Sequence, residues 1–553
     1  CNALQATMGM FLHSCNAPEK IINVLARVGL SIGASSIHRG NKSLSKESAS
    51  LIRQLAQEHP FCIGYDNLDF KFNTSAATID SPGEGLVHFT TASMFLLEHG
   101  VTREDLRCAA YIWNRQDIRL NPRATDPHTF STRPLRALDI NPGSVGGNIQ
   151  ALEELSKQCG YGDPRNGLHD PEDHVTVTFG DLGTFEHELS AQKQRSVEKS
   201  PLQRLEHIVP APSGFHIKMA AIDACWRALV KPAGKNARVV KGDETHFMRY
   251  LQMLRPNDTG RLASKPKFRE QHELLDQVGT MLRLDAWRSA VLTLYHGKYQ
   301  SLEEFAESRP TLDALRGIAD HLAQHFVAGE SDADVDDVFV APAEEDEQFT
   351  NTRLTHTYLL LYEELSRSMN DGDVGRFETV VPAWCQIFRS TGKHKYANRL
   401  LLFMHNLYVI YPERLRQCIR YNMFVNPTGK PHQFRAVDWV IELQNLYTKT
   451  MYSGEGSNHT KSRLISESPL ILTYRSSHAN FERNFQLPGL TTRHGKKDMT
   501  EPYSRLSKHM AKHNPNSKIR GRKSLRKIEN KILLGAALIL AEDKGYIVAK
   551  DGD

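Results

Sequence analysis

The stretch Phe61 to Phe70, FCIGYDNLDF, most constrains how this chain can fold. Phe61, Cys62, Ile63 and Tyr65 form an apolar run broken only by Gly64, the pattern of a strand covered on both faces. The run then meets Asp66 and Asp69. A carboxylate at the inner end of such a strand is costly unless backbone N–H groups, an arginine or a divalent cation compensates it. A turn or cap role is the plainer alternative for either aspartate.

A second stretch has the same design. In His174 to Asp181, HVTVTFGD, Val175, Val177 and Phe179 alternate with Thr176 and Thr178, and Asp181 ends the run beside Gly180. Strict alternation predicts a strand. Gly85 to Ala92 (GLVHFTTA) reads as a further strand, reached through the turn SPGEG. A third acidic candidate lies on a helix. In NPTGKPHQFRAVDWVIELQNLYTK, residues 426–449, Asp438, Glu442, Asn445 and Lys449 fall at i, i+4, i+7 and i+11 and share one face. Such a stripe faces either solvent or a polar site.

The rest of the chain frames these elements. Its 553 residues are too many for one core. The expected regions are a helical N-terminal segment 1–58, a core 59–235, a helical insertion 236–425, a core completion 426–490 with the Glu442 helix, and a basic C-terminal tail 491–553. In the first, Ile21, Ile22, Leu25 and Val28 recur at helical spacing, Gly29 breaks the pattern, and Ser31 or Ser35 is a candidate cap for the next helix. Two helices around a GLS turn match a helix-turn-helix, as any helical hairpin does. Residues 114–148 lack periodicity and read as a long loop. Its Arg115, Arg119, Arg123, Arg133 and Arg136 suit phosphate contact or plain solvation. FHIKMAAIDACWRALV, 215–230, reads as a buried helix, and 240–327 is helical in pattern. Ala328 to Phe349 carries nine acidic residues and no basic one, so a flexible acidic linker is expected. Helical periodicity returns from Thr355.

Charge and cysteine usage exclude some classes. The net charge of +5 is small, so its distribution matters more than its total. Twelve Lys or Arg stand against two acidic residues from Arg493 to Lys527. Lys518, Arg520, Arg522 and Lys523, in the densest part, are the candidate nucleic-acid residues and suit nuclear import as well. Eight scattered cysteines without a CxxC pair argue for a reducing compartment and against a zinc ribbon. The chain starts with Cys rather than Met and shows no basic-then-apolar leader, so it is read as lacking its natural start and as not secreted. Ile532 to Ala541 is about half the length of a membrane span. HLAQH, 321–325, has zinc-compatible His spacing without the Glu of a metalloprotease helix, and reads as surface. His187 and Glu188 also read as helix surface. His216 and Lys218 flank a buried helix start, near Asp181 or within the core.

Asp66, Asp181 and Glu442, in that order on strand, strand and helix, match the acidic triad of RNase H-like nucleic-acid enzymes. Two Mg²⁺ ions (or Mn²⁺) held by such a set stabilise the attacking and leaving oxygens of phosphodiester displacement. The strings YDNLDF, TFGDLGTFE, GFHIKMAAIDACWR and GKPHQFRAVDWVIELQN resemble a fungal domain of unknown function, number 6589, over about residues 10 to 515. The family's motifs are similar to those of Kyakuja-Dileera-Zisupton transposases. The resemblance implies an α/β core of RNase H-like type with a large helical insertion, and metal-dependent DNA cleavage and transfer. Asp66, Asp181 and Glu442 stand at the matching positions. DNA is then the partner, in the nucleus, with a homo-oligomer compatible and no membrane contact. Glu442 is followed by Leu443, Gln444 and Asn445 where the pattern has His-Leu-Asn, so Asn445 keeps the register. The rival reading is a non-catalytic DNA-binding or scaffold protein of the same fold.

Overall fold

A computed structural model describes residues 2–72, 85–114, 131–161, 173–230, 243–327, 345–452, 460–487, 498–524 and 526–543. Residues 81–84 of the SPGEG turn, Arg115, Arg119 and Arg123, the acidic segment up to residue 344, and residues 488–497 and 544–553 lie outside the described residues.

Along the chain come α1 (Ala3–Ser14), α2 (Glu19–Arg27), α3 (Ala34–Glu58), β1 (Phe61–Phe72), β2 (Gly85–Leu96), α4 (Ala109–Asn114), β3 (Thr132–Pro134), α5 (Val145–Gln158), β4 (Thr176–Gly180), α6 (Leu182–Arg195), β5 (Ile208–Pro212) and α7 (Gly214–Leu229). Then follow α8 (Phe247–Leu254), α9 (Thr259–Ser264), α10 (Phe268–Leu294), α11 (Leu302–Glu307), α12 (Leu312–Phe326), α13 (Glu347–Asp371), α14 (Val374–Ser390), α15 (His394–His405) and α16 (Glu413–Asn422). The chain ends with β6 (Phe424–Val425), β7 (Arg435–Ala436), α17 (Val437–Tyr452), α18 (Lys461–Glu467), α19 (Ile471–Phe485), α20 (Thr500–His513) and α21 (Lys531–Asp543). The protein is mixed α/β and mostly helical.

Two compact units interleave along the chain. Unit 1 comprises Cys1–His216, Met369–Val374 and Leu402–His494; unit 2 comprises Ile217–Ser368, Gly375–Leu401 and Gly495–Asp553. The N-terminal helices therefore belong to the same unit as the sheet.

Unit 1 is built on a five-stranded mixed sheet of order β3-β2-β1-β4-β5. β1 pairs antiparallel with β2 and parallel with β4, and β4 runs parallel to β5. Side chains alternate across a strand, so β1 sorts its residues between two layers. Phe61, Ile63 and Tyr65 pack with Ile52 and Ala56 of α3, Leu152 and Leu155 of α5, and Ala191 of α6. Leu68 and Phe70, on the other face, pack with Met451, Tyr452, Ile471 and Tyr474. Layers on both faces explain why Thr176 and Thr178 are buried along with Val177 and Phe179. Unit 2 is helical, with a core around Ala290, Val291, Phe305 and Ile318.

Several expectations change. Asp66 lies within β1, not at its end, because β1 runs on to Phe72. The stretch 114–148 contains β3 and the start of α5, capped by Ser144 Oγ on Gly147 N–H. Glu347 to Phe349 form the first turn of α13 and not linker. The N-cap of α3 is Gly33, not Ser31 or Ser35; Asn23 Oδ1 on α2 accepts from Ala34 N–H at 3.1 Å in place of a local cap. Ile22 is the buried contact of α2, while Ile21 and Val28 are exposed. The C-terminal basic region is structured where described: α20 buries Leu506 and Met510.

Candidate functional site: an acidic cluster on the sheet

Register sets the two aspartates. Ile63 stands beside Thr178 and Gly64 beside Phe179. Two residues further on come Asp66, within β1 on the face that carries Gly64, and Asp181, just past the end of β4. Neighbouring strands lie about 4.8 Å apart, so both carboxylates leave adjacent positions. Asp66 is buried and accepts from Asn67 N–H at 2.8 Å. Asp181 caps α6, with Oδ1 accepting from Thr184 N–H at 2.7 Å. Gly180 permits that turn, since a Cβ there would run into Thr184. Asp69 is three residues from Asp66 and points to the other face, where it bonds Asn67 Nδ2 at 2.7 Å and His88 Nδ1 at 2.6 Å. Pleat geometry thus separates Asp66 from Asp69.

α17 crosses this same face. A Cβ at position 64 would stand 2.6 Å from Val437 Cγ1 and 3.4 Å from Ile441 Cγ1, so glycine is what lets the helix come so close. Ser93, opposite Gly64, donates to Gln444 Oε1 at 2.7 Å. Thr91, opposite Asp66, donates to Asn445 Oδ1 at 2.6 Å. The polar stripe of α17 therefore divides. Asn445 is buried against β2 and Asp438 against the start of α7, Glu442 is 40% exposed, and Lys449 is in solvent.

Asp438 organises the far side. Its carboxylate accepts from Ser213 Oγ at 2.7 Å and from the N–H groups of Phe215, His216 and Trp439 at 3.0 Å each. His216 Nδ1 lies 2.9 Å from Asp438 Oδ2, which turns Nε2 toward Glu442 Oε1 at 3.7 Å. His216 is thus a member of the site.

The electrostatics tie these residues together. Burial, then the charges of Glu442 and Asp181, push the Asp66 pKa up to about 8, against a smaller pull from His216. Burial acts to lower the His216 pKa, but the Asp438 hydrogen bond and the charges of Asp438, Asp181 and Asp66 outweigh it, raising it to about 9. Three carboxylates crowd one face, which a hard dication would relieve through their oxygens. Asp66, Asp181 and Glu442 fit that role chemically. Among the described residues, however, they do not form a set of donor atoms all within 4.8 Å of one another.

Behind the sheet sits a carboxyl that pattern reading misplaced. Glu188 is 1% exposed rather than on a helix surface. It points at Tyr65 and Thr178, yet neither oxygen completes a hydrogen bond. Burial is the main reason its pKa rises to about 8. Its place on the inner face of α6, seven residues after Asp181, was the available signal.

The basic candidates lie in unit 2. Lys518 and Arg520 are exposed. Arg522 points inward: Nη2 and Nε reach Asp346 at 2.9 Å each, and Nη1 donates to the carbonyls of His513 and Asn514. Lys523 pairs with Glu347 at 3.3 Å. His321 and His325 lie 4.4 Å apart between ring centroids with their planes tilted by 46°, and no carboxylate or thiol completes a donor set among the described residues.

Among the described residues no helix is long and apolar enough to cross a membrane. No curated protein matches the chain. A family model, family of unknown function (DUF6589), matches residues 112–494, a narrower span than 10 to 515. Asp181 and Glu442 fall inside the match and Asp66 before it. With well over half of its 553 residues matched, the chain belongs to the family of unknown function DUF6589.

Proposed function

We propose that this chain is a transposase-like, RNase H-like protein that cleaves or joins DNA strands with divalent metal, working in the nucleus. The observation that carries this is the crowding of Glu442 and Asp181 around the buried Asp66. The sheet order, with β1 antiparallel to β2 and parallel to β4, supports the RNase H-like reading. So does the delivery of Glu442 by a helix packed on the same face. Asp66, Asp181 and Glu442 would hold Mg²⁺ or Mn²⁺. When bound, such ions polarise phosphoryl oxygens and lower the pKa of an attacking water. The chain's own residues supply the frame. Thr184 N–H orients Asp181, Asn445 braces α17 against Thr91, and Glu442 stays open to solvent and hence to a substrate. Exposed Lys518 and Arg520 suit backbone phosphates, with affinity falling as salt rises.

One observation favours the rival, a non-catalytic DNA-binding protein of this fold. His216 already brings a compensating positive charge beside the acids. The deciding experiment incubates the purified chain with labelled duplex DNA and Mg²⁺ or Mn²⁺. Strand nicking or joining that Asp181→Asn abolishes, with DNA binding retained, supports the enzyme. Salt-sensitive binding without any cleavage sinks it in favour of the rival. Asn is itself a good N-cap, so α6 survives that substitution.

A further inference from the structure

Away from the acidic cluster, two groups of His and Glu side chains bring three donor atoms within 4.8 Å of one another among the described residues. They are His13, His38 and Glu467 in unit 1, and Glu244, His509 and His513 in unit 2. The second group is already committed. Glu244 grips Arg249 through both oxygens at 2.6 and 2.9 Å, and His509 Nε2 donates to the Glu244 carbonyl at 2.8 Å.

The first group contains a conflict. His13 Nε2 lies 2.9 Å from Glu467 Oε1 and 3.0 Å from Arg463 Nη2. A carboxylate only accepts and a guanidinium only donates. With a proton on Nε2 the ring satisfies Glu467 and opposes Arg463; without it, the reverse holds. One contact of a side chain that is 6% exposed is therefore always mismatched, a costly state for buried polar groups. A cation between Nε2 and Oε1 removes the mismatch, because lone pair and carboxylate then both face positive charge. Arg463 has other partners to keep, Glu467 Oε2 at 3.3 Å and the Tyr452 ring at 5.4 Å.

We propose that His13, His38 and Glu467 form a transition-metal site of the Zn²⁺ class that ties α1, α3 and α18 together. Two imidazoles and a carboxylate are the donor set such ions prefer, whereas Mg²⁺ takes oxygens. The outer shell is in place: Tyr452 Oη donates to Glu467 Oε2 at 3.0 Å and Asn41 Nδ2 to Oε1 at 3.4 Å. An entry path is in place too. His38 is half-exposed on the wall of a pocket of about 430 Å³, which it shares with Asn41, Arg463 and Glu467. The proposal stands apart from the reading of the acidic cluster.

The test titrates the full chain, stripped of metal, with Co²⁺ and then Zn²⁺. The expected result is the visible absorption of cobalt in a nitrogen–oxygen site at one equivalent, lost on adding one equivalent of Zn²⁺. His38→Ala should keep its circular dichroism and weaken binding by about 100-fold or more, since even an outer-shell loss costs about 10–100-fold. Arg463→Gln removes the competing cation and should tighten binding. Asp181→Asn should leave the cobalt bands unchanged. Absence of the bands, their persistence in His38→Ala, or their loss in Asp181→Asn overturns the site. Should His38→Ala fail to fold, unchanged affinity in Arg463→Gln overturns it instead.

Discussion

Gly64 and Val437 define how closely α17 approaches the sheet: a Cβ at position 64 would sit 2.6 Å from Val437 Cγ1. Gly64→Ala must push the helix outward, and overpacking of this kind costs about 1–3 kcal/mol. The double variant Gly64→Ala/Val437→Ala should recover part of the loss, because the second change clears the space the first one fills. Denaturant unfolding of the four-member cycle measures this. Additive effects would show that the two residues do not meet.

Asp438 is 2% exposed and gathers donors from Ser213, Phe215, His216 and Trp439. Asp438→Asn leaves some of them facing an amide N–H₂, and removing the charge from a buried network costs about 3–5 kcal/mol. The folded-state pKa of His216 is raised, so its contribution to stability is present below the unfolded value and fades as pH climbs through the folded one. In Asp438→Asn that fading should shift to lower pH, and the His216 imidazole should titrate lower by NMR. An unmoved His216 titration would contradict the assignment.

Glu188 gives a pH dependence of the same sign from a different cause, the charging of a buried carboxyl. Its folded pKa is raised to about 8 from an ordinary value of 4.5, mainly by burial. Stability from keeping this group protonated is complete below about pH 4.5 and is lost as pH rises through about 8. Glu188→Gln should flatten the pH dependence over that window and stabilise the protein by a few kcal/mol at pH 9. Parallel curves for wild type and variant across pH 5–9 (roughly the span set by the linkage relation) would refute it.

Arg520 and Arg522 are two residues apart and should behave differently. Arg522 is bound to the buried Asp346, so Arg522→Ala leaves an unpaired interior charge and should cost about 3 kcal/mol. Arg520 is exposed, and Arg520→Ala should leave thermal stability within about 0.5 kcal/mol. If Arg520 meets phosphate, its loss also reduces the salt slope of DNA binding by about one. Equal stability losses in the two variants would undo the distinction.

How much of this was legible beforehand follows from physical scale. Period-two alternation and a run of apolar residues are local, so β1 and β4 were readable, and so were the aspartates they carry. The i, i+4 spacing of Asp438 and Glu442 was equally local and marked one face of α17. β5 was missed because Ile208–Pro212 contains Pro210 and Pro212, which cannot donate to a ladder; it is tolerated because β5 is an edge strand. Glu188 was misplaced because a single carboxylate on a helix says nothing about what layer covers it. Arg522 looked like its neighbours until Asp346, far away in the chain, claimed it. Local chemistry decided which segments become strands and helices and which acids they present. Only packing decided which face each acid turns to and what stands opposite, because burial and charge pairing depend on distances through space that no spacing along the chain encodes.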